Sequence, residues 1–338
     1  MECAGRTLLR ALPGGLRTAV STPLVSVCIG TYNREKYMRE TLDGVFAQTY
    51  PNYEVVVVDD ASTDRTVDII RSYGDRIRLI QRTENSGVCS VTRNQATRAA
   101  RGEYIAYLDS DDGWYPTKLE RQVAFLESHP DIPVCHTYCH VINEQSEVVG
   151  VRHEGAIPAT GNCFRQLLGH CFISISSVMV RRGIFDQVSG YFMEDRHYGI
   201  WGEEHEFLLR VARRFDIGFV PDVLARYRKS SDNISRGNWK ETPESVPFHE
   251  MILSRKDIWE GVVDYSVPLA VFVGACIENC RFWRAMNHGR RASYFALRAL
   301  RHAPLNALLW KELARSLGRT VLKRSDRQGA ESHPGSHL

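Results

Sequence analysis

The sequence predicts an α/β fold in which a mostly parallel central sheet carries helices on both faces and is followed by a C-terminal helical extension. Three observations support this prediction. Strand-like and helix-like segments alternate over the first 130 residues. The second strand segment is apolar on both faces, as central parallel strands are. Three of the strand segments are followed by polar clusters, at the sheet edge where ligands bind in such folds.

The first four strands are predicted from short apolar segments at 25–29, 54–58, 78–80 and 104–108. Helical periodicity lies between and after them, with the third helix expected from about residue 90 to residue 101. The other helices are expected to begin at residues that commonly cap helices: Asn33, then Ser62 or Thr63, then Thr117 with Glu120. The βαβα order predicts parallel pairing of the strands.

The chain is expected to divide into four segments. Residues 1–22 are a basic leader or a disordered extension, and residues 23–236 are the main domain, with halves 23–130 and 131–236. The second half is mixed, with strands at 133–142, 176–180 and 217–220 and a helix at 204–214. Residues 237–325 are expected to be helical and basic, and residues 326–338 to be a disordered tail.

Composition excludes several classes of protein. Among 338 residues, 43% are hydrophobic and 25% charged, which is ordinary for a globular chain and excludes wholesale disorder. No segment approaches the roughly 20 apolar residues of a membrane span. The nine cysteines have no regular spacing, which indicates free thiols in a reducing compartment and hence a cytoplasmic location.

The positive charge is concentrated near the C-terminus. The net charge is only +3, yet residues 281–327 contain twelve Lys and Arg against two acidic residues. A basic segment on an acidic body indicates an anionic surface as partner, either a membrane or a nucleic acid.

The acidic cluster of residues 109–112 is the strongest chemical signal. Asp109 and Asp111 frame an Asp-x-Asp pattern directly after a predicted strand. Carboxylates beside a nucleoside diphosphate are unfavourable unless a hard cation such as Mg²⁺ or Mn²⁺ lies between them. The pattern therefore predicts a metal-diphosphate site, and the alternative is a solvated loop or helix cap.

A second cluster, Asp59 and Asp60, follows the second predicted strand. A carboxylate there can accept the N3–H of a uracil ring, or both residues can cap a helix. Arg93 lies on a helix expected to return to the same edge. It can bind a phosphate, with an ordinary surface arginine as the alternative.

Glu203 and Glu204 begin a predicted amphipathic helix. Acidic residues in a first helical turn favour the helix dipole, which is the structural interpretation. The functional interpretation is a general base directed at an acceptor hydroxyl.

Taken together, four segments resemble the inverting family 2 glycosyltransferases of GT-A, Rossmann-like fold, over roughly residues 23–230. The segments are VSVCIGTYN (25–33), VDDASTD (58–64), GEYIAYLDSDD (102–112) and WGEE (201–204). The family usually has Glu-Asp where this chain has Glu203 and Glu204, and Glu204 takes the Asp position. Its Tyr-Arg-x-His element appears as 227–230, YRKS, without the histidine.

The resemblance implies roles for individual residues. Donor binding is expected from residues that surround the nucleoside and diphosphate: Thr31, Tyr32, Asn33, Asp60, Arg93, Asp109 and Ser110. Asp109 and Asp111 are expected to hold Mn²⁺ or Mg²⁺, and Glu204, or else Glu203, to be the catalytic base. The nucleotide would bind to 23–130 and the acceptor to 131–236. No Gln-x-x-Arg-Trp motif of processive synthases occurs, so a bacterial, non-processive enzyme is expected.

The function predicted is transfer of a single sugar from a nucleotide-sugar, with UDP favoured, to a hydroxyl of a glycan or lipid-linked glycan. One alternative is a nucleotidyltransferase that makes nucleotide-sugars, which would need a Gly-rich loop after the first strand. The other is a non-catalytic homologue that binds a nucleotide or glycan. No nucleic-acid partner is expected.

The basic C-terminal helices have two interpretations. Leucines recur at helical spacing among the cations: Leu305, Leu308, Leu309, Leu313 and Leu317, followed by Val321. The helix can lie on the inner face of the cytoplasmic membrane through this apolar face. It can equally pack its leucines onto the rest of the protein.

Overall fold

The computed structural model describes residues 22–152, 160–194, 202–230, 245–286 and 288–317. Contacts divide the chain into two units, Met1–Gly237 and Asn238–Leu338. Each unit is described separately below.

The first unit is built on a sheet with nine strands among its described residues, in the order β3-β2-β1-β4-β8-β6-β9-β5, with β7 beside β6. Their bounds are β1 Val25–Thr31, β2 Tyr53–Asp59, β3 Ile77–Gln81, β4 Tyr104–Asp109, β5 Gly113–Trp114, β6 Val134–Ile142, β7 Val148–Val151, β8 Met179–Arg181 and β9 Ile217–Arg228. Strands β1 to β4 are parallel. Strand β8 runs antiparallel to both β4 and β6, so the second half of the sheet is mixed. The predicted α/β class is confirmed.

Seven α-helices accompany this sheet in the part of the unit that the structure describes: α1 Met38–Phe46, α2 Thr66–Arg71, α3 Cys89–Ala99, α4 Lys118–Ser128, α5 Phe164–Gly169, α6 Ile184–Gln187 and α7 Glu203–Ala212. Two 3₁₀ turns cover Gly74–Arg76 and Ile175–Ser177. The central strands are buried on both faces, and every residue of β2 from Val55 onward is buried. Burial of these β-branched side chains is the main stabilising contribution to the sheet.

The predicted helix caps are wrong. Helix α1 begins at Met38, and no side chain caps it. Asn33 instead has a φ of 49°, and its Oδ1 accepts the Thr63 N–H at 2.8 Å. Asn adopts the left-handed region more readily than most residues, because its short side chain bonds locally. It therefore joins the loops after β1 and β2. Helix α2 likewise follows Arg65 without a side-chain cap.

Thr117 does precede α4, but its side chain makes no cap hydrogen bond. Glu120 does not complete a capping box either, since its carboxylate accepts the Thr49 hydroxyl at 2.7 Å. The eight cysteines among the described residues are free thiols, most of them buried.

The second unit is helical where it is described. It contains α8 Ser245–Ser254, α9 Lys256–Trp259, α10 Ser266–Ala285 and α11 Gly289–Leu300, and a further helix, α12, covers 307–317. The helices share an apolar core that includes Phe272, Trp283 and Phe295. Among the helices of the described ranges, none combines the length and apolar character needed to cross a membrane.

The predicted leucine face of the C-terminal helix is divided. Leu309 and Leu313 are buried in the core of the second unit, whereas Leu305, Leu308 and Leu317 are exposed. Val321 lies outside the described residues.

Part of the basic charge of this segment is neutralised internally. Glu312 is fully buried, and it pairs with Arg281, Arg284 and Arg315.

Candidate active site

The polar clusters meet at one edge of the sheet. Thr31 ends β1, Asp59 ends β2 and Asp109 ends β4. Pairing places Thr31 opposite Asp59 and Gly30 opposite Asp109, so these three strand ends are neighbours. Parallel strands begin and end together, which explains why signals 50 residues apart in sequence converge here.

A cleft of about 530 Å³ opens at this edge. It is lined by every predicted site residue except Asn33: Thr31, Tyr32, Asp60, Arg93, Asp109, Ser110, Asp111, Glu203 and Glu204. Its volume lies in the range typical of ligand sites. A larger hollow of about 780 Å³ near Arg181 and Arg182 contains none of these residues. We therefore take the cleft as the candidate active site.

Asp60 is held firmly in the lining of the cleft. Its carboxylate accepts the Ser86 N–H at 3.0 Å and the Ser86 hydroxyl at 2.7 Å. The Arg82 guanidinium lies 2.8 Å from it. Asp59 points elsewhere, since its Oδ2 accepts the Ser62 N–H at 3.1 Å and stabilises the loop. The two adjacent acids therefore differ, and only Asp60 lines the cleft.

The acidic loop after β4 also separates into two kinds of carboxylate. Asp112 is buried and structural: it accepts the Ser176 hydroxyl at 2.6 Å and the Arg228 N–H at 2.8 Å. Asp109 and Asp111 face the cleft. Burial first, and then the charge of Asp109, raise the pKa of Asp111 to about 6. Two carboxylates are thus placed together where a cation would stabilise both.

These two carboxylates fit a hard divalent cation only with help from a ligand. Within the described residues, no group of three or more His, Cys, Asp or Glu side chains is arranged to hold a metal ion. Mg²⁺ is commonly bound by one or two carboxylates together with substrate phosphates and water. Asp109 and Asp111 supply that partial set of oxygen ligands, so the residues present suit a metal that arrives with a diphosphate.

Arg93 connects the two ends of the site. It is buried on α3, and its guanidinium donates to Glu203 and to Asp109, each at 3.0 Å. Glu204 Oε2 lies 4.0 Å from the same group. The interpretation of Arg93 as an ordinary surface residue is therefore wrong. Helix α3 can lie this close to β1 because Gly30 has no side chain: a Cβ there would be 2.3 Å from Thr92 Oγ1.

Glu203 and Glu204 begin α7 and differ in exposure. The side chain of Glu203 is 3% exposed, whereas that of Glu204 is 27% exposed. Burial, followed by the charge of Glu204, raises the pKa of Glu203 to about 8, and Arg93 opposes this shift. Burial also raises the pKa of Glu204, against the effect of Arg93. Glu204 is the more accessible carboxylate to a ligand in the cleft.

Several functional candidates were missed by sequence reasoning. Arg228 ends β9 and donates from Nε to the Asp111 carbonyl at 2.7 Å and from Nη2 to Glu40 at 2.6 Å. It thereby holds the acidic loop in place. In the sequence, Arg228 is marked only as the arginine of the Tyr-Arg element at 227–230, and that pattern predicts no role for it. Arg34, whose Nε lies 3.7 Å from Asp111, and Arg152 also line the cleft. Arg152 carried no recognisable sequence signal.

Comparison with known proteins places the chain among glycosyltransferases. The family model described as glycosyl transferase family 2 matches residues 26–189. The putative teichuronic acid biosynthesis glycosyltransferase TuaG of Bacillus subtilis is 45% identical over 221 residues, covering 64% of this chain and 84% of TuaG. The putative glycosyltransferase EpsE of the same organism is 34% identical over 224 residues, covering 64% of this chain and 77% of EpsE.

Solved structures show the same fold. The S. aureus TarS 1–349 structure in complex with UDP-GlcNAc aligns with a TM-score of 0.62 at 21% identity, covering 90% of this chain and 92% of TarS 1–349. The mannosyltransferase PcManGT of Pyrobaculum calidifontis, in complex with GDP-Man and Mn²⁺, aligns with a TM-score of 0.53 at 20% identity, covering 92% of this chain and 81% of that one. The chain therefore belongs to glycosyl transferase family 2, and it is a nucleotide-sugar glycosyltransferase with the GT-A fold.

Proposed function

We propose that the protein transfers one sugar from a UDP-sugar to a hydroxyl of a glycan or lipid-linked glycan, with inversion at the anomeric carbon. One observation carries the proposal. Arg93 joins the Asp109 carboxylate, at the diphosphate end of the cleft, to Glu203 and lies beside Glu204. The leaving-group site and the base are thereby held by a single buried cation.

The donor end of the cleft suits a uracil nucleotide. The Asp60 carboxylate is an acceptor-only group, which matches the N3–H of uracil. Its position is maintained by Ser86 and Arg82. Thr31, Tyr32 and Ser110 line the adjacent wall and would contact the ribose and diphosphate. The choice of uracil as the nucleobase is supported by TarS, a protein of the same fold, which is solved in complexes with UDP and UDP-GlcNAc.

Asp109 and Asp111 would hold the divalent cation. When bound with the donor, Mn²⁺ or Mg²⁺ would neutralise charge that develops on the departing diphosphate. Arg93 and Arg34, which contact these two carboxylates, fix their orientation. PcManGT contains Mn²⁺, which supports the choice of ion.

Glu204 would act as the general base. It removes the proton of the acceptor hydroxyl, whose oxygen then bonds to the anomeric carbon while the carbon–oxygen bond to the diphosphate breaks. The raised pKa of Glu204 suits a base that works near neutral pH. Glu203 is the alternative, but its Oε1 is occupied by Arg93 and its side chain is almost wholly buried.

The relatives suggest the acceptor class. TuaG is named for teichuronic acid biosynthesis, and the Escherichia coli relative WfaP, 34% identical over 180 residues, for glucosyl transfer to GlcNAc-diphosphoundecaprenol. We infer a role in bacterial envelope polysaccharide synthesis on the cytoplasmic side of the membrane. Transfer of a single sugar agrees with the lack of a Gln-x-x-Arg-Trp motif in the sequence.

The second unit would contact the anionic membrane through the outer face of α12. Trp310 and Leu317, seven residues apart, are exposed on that face, and the exposed Lys311 lies beside Trp310. Apolar side chains mixed with cations are typical of helices that lie in the interface of anionic bilayers.

A screen of nucleotide-sugars with Mn²⁺ tests the central proposal. The purified chain should be thermally stabilised by UDP and should release UDP slowly from at least one UDP-sugar. The Asp111→Asn variant is the matched control, since it keeps the shape of the side chain and removes its charge. Equal stabilisation and hydrolysis by the two proteins, or equal activity in excess chelator, would overturn the proposal.

A further inference from the structure

Arg152 is a cation in the cleft that the mechanism above does not use. It follows β7 and lines the same cleft as Glu204, Cys171 and Tyr227. Its guanidinium carbon lies 4.2 Å from the centroid of the Tyr227 ring. Its Nε is buried and has no hydrogen-bond partner among the described residues. The guanidinium is thus held against the Tyr227 side chain.

The other arginines that line the cleft each have a carboxylate partner. Arg93 lies 3.0 Å from both Asp109 and Glu203, and Arg34 lies 3.7 Å from Asp111. For Arg152, no carboxylate oxygen within the described ranges lies within 4.0 Å of the guanidinium nitrogens.

A largely buried cation without a counter-ion is unfavourable, and a tyrosine ring face offsets only part of that cost. The planar guanidinium matches the paired oxygens of a carboxylate or phosphate. A ligand can therefore supply the counter-ion that the described residues do not.

Arg152 and Glu204 line the same cleft. The charge of Arg152 is among those that lower the pKa of Glu204. The charges that shift the pKa of Asp111 are those of Asp109, Arg34 and Arg228. The positive charge of Arg152 thus acts on the proposed base, Glu204, in the cleft that both residues line.

We propose that Arg152 is a specificity-determining residue that binds an anionic group, a carboxylate or a phosphate, carried either by the transferred sugar or by the acceptor. This inference rests on the proposed function, because it takes the wall of Glu204 as the place where sugar and acceptor meet. Arg152 orients the substrate through this contact and takes no part in proton transfer.

Titration calorimetry with a matched pair of donors tests the sugar as the source of the anion. UDP-glucuronic acid and UDP-glucose differ only in the carboxylate at C6, and both are titrated with Mn²⁺ present. If the sugar carries the anion, Arg152→Gln lowers the affinity for UDP-glucuronic acid relative to UDP-glucose by roughly 10- to 100-fold, the range for a charge-assisted hydrogen bond. Arg152→Lys keeps the charge and should retain part of the preference.

A second titration tests the acceptor as the source. Glucuronate and inorganic phosphate are titrated into protein saturated with UDP and Mn²⁺. If the acceptor carries the anion, wild type binds at least one of them, and Arg152→Gln weakens that binding by a similar factor while the donor pair stays unaffected. Arg182→Gln is the control in both titrations, since Arg182 is exposed and lies outside the cleft.

Two results would overturn the inference while leaving the proposed function intact. In one, Arg152→Gln matches wild type in both titrations. In the other, it weakens UDP itself as much as the UDP-sugars, which would assign Arg152 to the diphosphate. If the wild-type protein binds neither UDP nor any UDP-sugar, the proposed function fails and this inference fails with it.

Discussion

Lys118, the first residue of α4, is fully buried, and its amine has no hydrogen-bond partner among the described residues. Its Nζ lies 4.0 Å from the centroid of the Trp114 ring. Trp114 donates to the Ser176 carbonyl at 2.7 Å, and the Ser176 hydroxyl donates to Asp112. The amine therefore contacts Trp114, which is hydrogen-bonded to a residue that supports the acidic loop. Its charge state affects the stability of the first unit.

Burial lowers the pKa of Lys118 from 10.5 to about 7. Between these values the unfolded chain binds a proton that the folded chain does not, so stability rises with pH from about 7 to about 10.5. At pH 7.5, roughly three pH units below the pKa of the unfolded chain, the shift lowers the free energy of unfolding by about 1.4 kcal/mol per unit, or about 4 kcal/mol in total. The Trp114 ring stabilises the charged form by up to about 2 kcal/mol, which leaves a net cost of about 2 kcal/mol or more.

We expect Lys118→Met, which lacks the charged nitrogen and is one atom shorter, to be more stable than wild type by about 2–4 kcal/mol at pH 7.5. The difference should disappear near pH 10.5. Urea unfolding at the two pH values measures it, and Lys229→Met, at an exposed lysine of the same unit, controls for loss of a positive charge. A Lys118→Met protein that is no more stable than wild type at pH 7.5, or a gap that persists at pH 10.5, would refute the reasoning.

Three further predictions concern function. Asp111→Asn should abolish turnover and leave the fold intact, because the cation loses a ligand; full activity of this variant by UDP release would contradict the metal assignment. Glu204→Gln should lower turnover by roughly 10²-fold or more with donor affinity retained. If Glu204→Gln keeps nearly full activity while Glu203→Gln is inactive, the catalytic base is Glu203. Changing Trp310 and Leu317 together to Glu should abolish co-sedimentation with anionic vesicles without unfolding the second unit, since both side chains are exposed; unchanged sedimentation would exclude this membrane contact.

The local sequence pattern was sufficient to predict the helices and strands in which apolar residues recur at regular spacing. The first four strands and the α7 helix were predicted near their observed positions, because a buried strand or an amphipathic helix needs a continuous apolar pattern. The caps failed for the opposite reason. Asn33 and Ser62 are residue types that commonly cap helices. Here they link the loops after β1 and β2 instead, and the Asn33 N–H donates to Ser62 Oγ at 2.9 Å.

The sequence left open whether the leucines of the C-terminal segment face a membrane or pack onto the rest of the protein. Helical spacing groups them on one broad face, yet within α12 Leu309 and Leu313 are buried while Leu308 and Leu317 are exposed, and Leu305 lies before the helix begins. Periodicity reports which side chains share a face of a helix, and it does not report which neighbouring helices cover that face. The packing of α12 within the second unit settled that point.

By itself, the sequence determined that Thr31, Asp60 and Asp109 would lie near one edge of a parallel sheet, and that Glu203 and Glu204 would begin a helix. Only the tertiary structure decided how the environments of adjacent acidic residues differ. Asp112 is buried and accepts hydrogen bonds from Ser176 and Arg228, whereas Asp109 and Asp111 face the cleft. The physical reason is that burial and charge pairing depend on partners far away along the chain. Arg93 meets Glu203 across 110 residues, a distance at which no local pattern carries information.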